Sequence, residues 1–463
     1  MTRDGRDDPG QRSPWASGVV LLLGFLLLTA GPVLIGLDHF PSKSIDMDRN
    51  HIPVIEAFAD QWPSPDLRDY DSATTPGMHL LLAGLVEGFG ATETVLQLCT
   101  CLFGTLLIGS AWWFGTRVAG GWISAACMLP LALSPYVLGN AIWVMTDDLS
   151  LALIVVSIGM AIFIRPTMGA STISGAAMIL SVMVRQINVW PTAIALATTL
   201  LGRPAIRRRL PFRDRLDDRT TLLPSLTLGV GVAGAFSVLG GFALAWGGLV
   251  PPSFQPGGSG AMTHSGGINL AVAPYVLTLF GVYALPSMMV LLPIWREDSD
   301  IRRSGMWGAL VGLAIGITLE SIPGAEHGRT GGWLWTLADR LPVLASRSSL
   351  LLPGSVLGGL TAGLLLGLVS SAGRTRAGWL MIGFAASFLA AYTANAQAFQ
   401  RYFDPMVLLA IGWTMLLASG AVSAGGILTP LRIASAGIAA AAMQAVFAIA
   451  TVYLKLGFAP FES

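Results

Sequence analysis

The chain has 463 residues, 53% of them hydrophobic and only 11% charged, and its 27 basic and 26 acidic residues leave a net charge of +1. A soluble domain carries roughly 25% charged residues, so this chain has too little charge to cover a water-facing surface. That excludes a soluble enzyme, a secreted disulfide scaffold and a disordered chain, and gives no reason to expect a nucleic-acid partner.

A bilayer crossing needs about 20 apolar residues, and the first candidate is 17–36, after a polar tail over 1–16. Further apolar stretches lie at 94–116, 121–140, 149–164, 170–184, 188–202, 221–249, 269–294, 305–320, 347–369, 377–394, 406–422 and 432–454. The expected fold is an all-α integral membrane protein, one polytopic domain over 17–454 with about thirteen transmembrane helices and a short tail over 455–463. The 55 glycines suit the close packing of such helices. The three cysteines, Cys99, Cys101 and Cys127, fall in or beside apolar stretches and indicate neither a disulfide framework nor a metal site.

Alternating the stretches in and out places 18 basic residues on the side of the N-terminus and nine on the other. The excess of arginine marks the cytoplasmic side. Its strongest element is the run RPAIRRRLPFRDRLDDR within the loop 203–220. The N-terminus is therefore expected in the cytoplasm, and the five histidines (His39, His51, His79, His264 and His327) on the outer side.

The first outer loop, 37–93, holds ten of the 26 acids. Ile52, Ile55, Phe58 and Ala59 recur at helical spacing, and a second short apolar segment follows at 78–90; both suit helices lying at the bilayer surface. A carboxylate cluster held at headgroup depth suits a lipid that carries a phosphate-linked sugar. Transfer of that sugar needs a base for the attacking hydroxyl and a cation for the departing phosphate. Direct attack inverts the anomeric carbon.

Three stretches in order sharpen this reading: Met47-Asp48-Arg49-Asn50-His51-Ile52-Pro53, Asp71-Ser72-Ala73-Thr74-Thr75-Pro76-Gly77 and Arg185-Gln186-Ile187-Asn188-Val189-Trp190. Their order and spacing resemble the GT-C glycosyltransferases, and more narrowly the dolichyl-phosphate-glucose α-1,2-glucosyltransferases that add the terminal glucose to lipid-linked oligosaccharide. A weaker echo occurs at Gly258–His264, and the last third is similar only in hydropathy. The resemblance implies a GT-C bundle, a polyprenyl-phosphate hexose donor, a glycan or lipid-linked glycan acceptor, and neither cofactor nor metal. The family's Met-Asp-Glu is Met-Asp-Arg here, so either Asp46 or Asp48 can stand for its acidic pair. The arginine-rich, lysine-poor composition suggests a bacterial plasma membrane and a bacterial polyprenyl phosphate; in a eukaryote the site would be the ER membrane.

The catalytic candidates are therefore Asp46 and Asp48. A D-x-D pair can also hold a divalent cation, and both acids can simply face solvent. His51 is placed to orient a carboxylate or touch phosphate. Asp71, Thr74 and Thr75 precede a Pro-Gly turn, where helix capping competes with sugar binding for the threonines. Arg185-Gln186 interrupts an apolar run and needs an anion, either the leaving phosphate or one of Asp147 and Asp148, which begin the apolar helix at 149–164 and are themselves candidates for substrate binding. His264 sits in a glycine-rich stretch that suits a lid. Arg347 closes the outer loop 321–347, and Arg401 and Tyr402 break the apolar pattern again near the end. The rival classes are a secondary transporter, which tends to carry broken helices and midplane charges, and a lipid-linked-sugar flippase without chemistry.

Overall fold

The computed structural model describes residues 14–40, 44–201, 222–255, 267–423 and 426–458. The basic loop 203–220, the stretch carrying His264 and most of both tails lie outside the described residues. Every one of the thirteen apolar stretches contains helix. The long elements run α1 (Pro14–Leu34), then two short loop helices, α2 (Ile52–Asp60) and α3 (Gly77–Phe89), then α4 (Glu93–Thr116). Next come α5 (Gly121–Ala132), α6 (Pro135–Ile142), α7 (Asp147–Phe163), α8 (Met168–Val184), α9 (Pro191–Leu201) and α10 (Leu222–Trp246). The second half holds α11 (Val272–Tyr283), α12 (Leu285–Glu297), α13 (Ser299–Thr318), α14 (Trp333–Asp339), α15 (Leu351–Ser371), α16 (Thr375–Thr393), α17 (Gln400–Leu417) and α18 (Pro430–Thr451). Among the described residues the strands are two hairpins of two residues per strand, Val343–Leu344 with Arg347–Ser348 and Val422–Ser423 with Gly426–Ile427.

Five helices are long and apolar enough to cross a bilayer, and up to seven spans result if each bent pair counts as one. This is a multi-pass membrane protein. The remaining helices are too short or not apolar enough for that criterion; α7 and α8, for example, have 17 residues each. Two predicted stretches are bent where single helices were expected: α5 meets α6 at 73° and α11 meets α12 at 76°. Ser134-Pro135 explains the first break, since proline suits a first helical turn and the Ser134 side chain caps the amide of Tyr136. The breaks converge on buried Asp404 of α17. Its Oδ2 accepts from Ser134 Oγ at 2.6 Å, and its Oδ1 accepts from Tyr283 Oη and from Gln400 Nε2 at 3.3 Å.

The loops at one end of the bundle bond to one another. Trp143 Nε1 donates to the Asp38 carbonyl at 2.9 Å, Trp246 Nε1 to Leu67 at 2.9 Å, and Asn269 Nδ2 to Ala396 at 2.9 Å, while His39 bridges Gly457. At the opposite end Arg374 donates to the carbonyls of Leu417 and Ser419, and Arg376 to that of Ala161. The acid-rich first loop therefore shares an end with 143–146, 247–255 and 394–399.

Glycine permits close helix approach. α13 packs along α15, and a Cβ on Gly308 would lie 2.0 Å from the Gly359 carbonyl oxygen, with 2.2 Å for the reverse pair. Small residues at a membrane helix interface allow such backbone contact. Gly308→Leu or Gly359→Leu should lower stability by at least the ~1–3 kcal/mol typical of overpacking. Gly383→Ala, which meets open space, should be close to neutral; thermal unfolding in detergent separates the three.

Candidate active site

A cavity of about 310 Å³ opens where the first loop meets the ends of α7, α8, α10, α16 and α17. Its polar lining includes Asp46, Asn50, His51, Ser72, Thr74, Asp147, Arg185, Gln186, Tyr392, Asn395, Arg401 and Tyr402. Its apolar lining includes Ile187, Val189, Leu239, Leu249, Val250 and Phe254. The three sequence stretches at 46–53, 71–77 and 185–190 all reach it.

Residues 47–51 form a wide helical turn of the π type, in which the Ile52 amide bonds back to the Met47 carbonyl. Pro53 has no amide hydrogen to close an ordinary turn onto the Arg49 carbonyl, which favours the wider one. In such a turn residues four and five apart share a face while residues two apart diverge. Asp46, Asn50 and His51 consequently line the cavity, and Asp48 is exposed and outside it. Of the two catalytic candidates, only Asp46 is within the site.

Asp46 Oδ2 is 2.5 Å from Arg401 Nη1. Asp147, in the first turn of α7, pairs with Arg185 at the end of α8. Both guanidiniums lie over the Tyr402 ring, at 4.9 Å for Arg185 and 5.4 Å for Arg401. The site thus holds two cations and two anions in two adjacent pairs. The structural ion pair weighed for Arg185 is present, with Asp147 as its partner. Asp148 points the other way, fully buried, and does not line the cavity.

Thr74 lines the cavity, its hydroxyl 3.2 Å from that of Ser72. Thr75 neither lines it nor caps α3; its hydroxyl donates to the Val182 carbonyl at 2.7 Å, and its amide to Gln186 Oε1 at 3.2 Å. Gln186 Nε2 returns a bond to the Ala73 carbonyl at 2.8 Å. Gly77 completes this junction, because a Cβ there would lie 2.6 Å from the Met183 carbonyl oxygen. Thr75, Gln186 and Gly77 therefore clamp the first loop to the end of α8. Asp71 is exposed and away from the cavity.

Arg347 is also away from the cavity. Its guanidinium donates to the Ile317 carbonyl at 2.8 Å and the Thr318 carbonyl at 3.3 Å, capping the end of α13. In the Gln400-Arg401-Tyr402 stretch the last two residues face the cavity, and Gln400 turns into the core to join Tyr275, Tyr283 and Asp404. The sequence reading passed over Asn50, Ser72, Tyr392 and Asn395. Tyr392 and Asn395 carried one usable signal, polar groups beside Arg401 and Tyr402 where an apolar stretch ends.

His51 has a buried neighbour 28 residues away that no motif pairs with it: its Nδ1 lies 3.0 Å from Nε2 of His79 in α3. Burial lowers the tendency of both rings to take up a proton, although Asp46 and Asp147 oppose this at His51.

No family model and no curated protein matches the chain. Solved structures with similarity include ArnT from Cupriavidus metallidurans bound to undecaprenyl phosphate, at 16% identity over 89% of this chain and 77% of that one, with a TM-score of 0.38. Another is the archaeal oligosaccharyltransferase AglB from Archaeoglobus fulgidus, in complex with an inhibitory peptide and a dolichol-phosphate, at 14% identity over 96% of this chain, with a TM-score of 0.44. The chain spans 55% of the length of AglB.

The lowered affinity of His51 for protons has a signed consequence. An unfolded histidine titrates near 6.5, so below that pH the unfolded chain binds a proton that the folded one refuses. The contribution of neutral His51 to stability is complete above about pH 6.5 and is lost as pH falls below it. His51→Gln should flatten this part of the profile, read as the difference in melting temperature from the native protein between pH 7.5 and pH 5.

Proposed function

We propose that the chain is an inverting GT-C-type glycosyltransferase. It would move one hexose, glucose by the motif resemblance, from a polyprenyl phosphate to a hydroxyl of a glycan or lipid-linked glycan. The observation that carries this is the cavity itself, where an acid and two arginines from remote parts of the chain meet in a lining that also carries apolar side chains. An amphiphile with a sugar phosphate head and an isoprenoid tail suits such a mixed lining. In the reaction the acceptor oxygen attacks the anomeric carbon, the bond from that carbon to the phosphate oxygen breaks, and the lipid phosphate leaves with the electron pair. Asp46 takes the hydroxyl proton, and Arg401 and Arg185 hold the departing phosphate. No metal and no cofactor is assigned a part.

Asp46 begins this cycle paired with Arg401, which weakens it as a base. Arrival of the donor phosphate gives Arg401 another anion and releases Asp46 to accept a proton. We place the cavity on the extracytoplasmic side of a bacterial plasma membrane, with about thirteen crossings and the N-terminus inside. The support is charge: Arg117, Arg165, Arg296, Arg302, Arg303, Arg374, Arg376 and Arg432 belong by the alternation of helices to the end away from the cavity.

A transporter is the second reading, and the two bent helices meeting at Asp404 favour it, since substrate sites often lie at helix breaks. Asp404 is, however, saturated with hydrogen bonds from Ser134, Tyr283 and Gln400, which suits a clamp on the breaks. Purified protein supplied with polyprenyl-phosphate [¹⁴C]glucose and a lipid-linked glycan fraction tests the first reading, and uptake of glucose into proteoliposomes tests the second. Asp46→Asn should cut transfer by about 10²–10⁴-fold, the usual contribution of a general base, while Asp48→Asn stays within a few-fold of native. Full activity in Asp46→Asn would remove the base assignment.

A further inference from the structure

His51 stands on the cavity wall and His79 directly behind it, with ring centroids 5.2 Å apart. His79 is fully buried among apolar and aromatic neighbours, with the rings of Phe58 and Tyr70 each 6.4 Å away. Tyr70 offers it no proton, because its hydroxyl donates to the Thr74 carbonyl at 2.6 Å. At 3.0 Å, His51 Nδ1 and His79 Nε2 share one proton between them.

The sharing has two possible senses, and His79 decides between them. If His51 donated from Nδ1, neutral His79 would have to carry its own proton on Nδ1. That nitrogen is buried and has no hydrogen-bond partner among the described residues, so the result is an orphaned N–H group. If His79 donates from Nε2, its Nδ1 is a bare lone pair. Orphaned buried donors are rarer and costlier than under-used acceptors. His51 therefore accepts at Nδ1 and carries its proton on Nε2, the ring nitrogen left for the cavity.

The charged groups around the pair do not force it into the cationic form. Asp46 and Asp147 draw a proton towards His51, but burial, the largest influence, together with Arg401 and Arg185 opposes it and keeps the ring neutral.

We propose that His79 is a positioning residue that locks His51 in its Nε2–H tautomer, so that His51 presents a neutral donor to a hydrogen-bond-accepting oxygen of the substrate, either a sugar hydroxyl or a phosphoryl oxygen. The tautomer stands on geometry alone; its use in catalysis rests on the glycosyl-transfer reading. On that reading His51 is not a second base. It cannot intercept the acceptor's proton on its way to Asp46, and it adds a hydrogen bond to the substrate without adding charge to a site already balanced.

Full-length protein carrying ¹⁵N-labelled histidine decides the matter without substrate, with the His51 signals assigned by their loss in His51→Gln. At pH 7 the native protein should show a protonated Nε2 and a bare Nδ1 on His51. His79→Phe fills the space but donates nothing, and should give a mixture of His51 tautomers with transfer reduced about tenfold, mainly in kcat. His79→Gln, whose amide can donate to Nδ1, should restore both the tautomer and most of the rate. A protonated Nδ1 or an imidazolium in the native protein would overturn the proposal, as would a His51 spectrum unchanged in His79→Phe. Equal transfer by the Phe and Gln variants would overturn the catalytic part. The spectra report whether or not transfer is detected, so a failed assay in the native protein counts against the reading of the site and not against the tautomer.

Discussion

Two guanidiniums cannot be left bare at the end of an apolar bundle. Desolvating a charge costs several kcal/mol unless an opposite charge stands against it with good geometry. In this protein the countercharges come from far away in sequence: Asp46 reaches Arg401 across 355 residues, and Asp147 reaches Arg185 across 38. The pairing therefore does more than neutralise. It ties the wide turn after α1, the start of α7, the end of α8 and the start of α17 into one polar wall. Removing one member of either pair would leave its partner uncompensated, so the segments depend on each other for their placement.

The rest of the architecture keeps that wall rigid while leaving a space in front of it. Thr75, Gln186 and Gly77 fix the first loop to α8 through hydrogen bonds and a backbone approach that only glycine permits. Asp404 gathers the two helix breaks, supplying acceptors where regular helix is interrupted. Glycine contacts between α13 and α15 bring those backbones together without side chains to separate them. Apart from Gln186, none of these features lines the cavity, yet each limits how far the polar wall can move.

Much of this was legible in sequence because it depends on local periodicity. The thirteen apolar stretches are helical, and the short amphipathic pattern at 52–59 gives a helix that buries Val54, Ile55, Phe58 and Ala59. The three motif stretches point to one place because residues 71–77 lie against residues 182–186. What was hidden depends on rotation about a helix axis or on distant partners. Asp46 and Asp48 are equivalent in a loop but face opposite ways in a wide turn. Asp147 and Asp148 are neighbours in sequence, and one step along α7 sends one to Arg185 and the other into the core. Arg347 has the composition of a phosphate ligand, but the hairpin at 343–348 turns it onto the end of α13. His79 looked like an ordinary residue of a surface helix, and only packing of α3 behind the turn at 47–51 brings it to His51.

On the proposed reaction, the resting ion pair between Asp46 and Arg401 links two events that would otherwise be independent. A carboxylate held by a guanidinium is a poor proton acceptor, because protonation would forfeit the pairing. Once an anionic group takes that guanidinium, the carboxylate loses its partner and its proton affinity rises. The base is then strong only while a phosphate occupies the site, and an acceptor hydroxyl arriving first meets a carboxylate that is still engaged. The neutral His51–His79 pair fits the same logic, because a charged imidazole beside Asp46 would supply a substitute partner and keep the base weak after the donor had bound. Charge balance in the empty cavity and ordered activation in the filled one are, on this account, consequences of the same four ionised side chains.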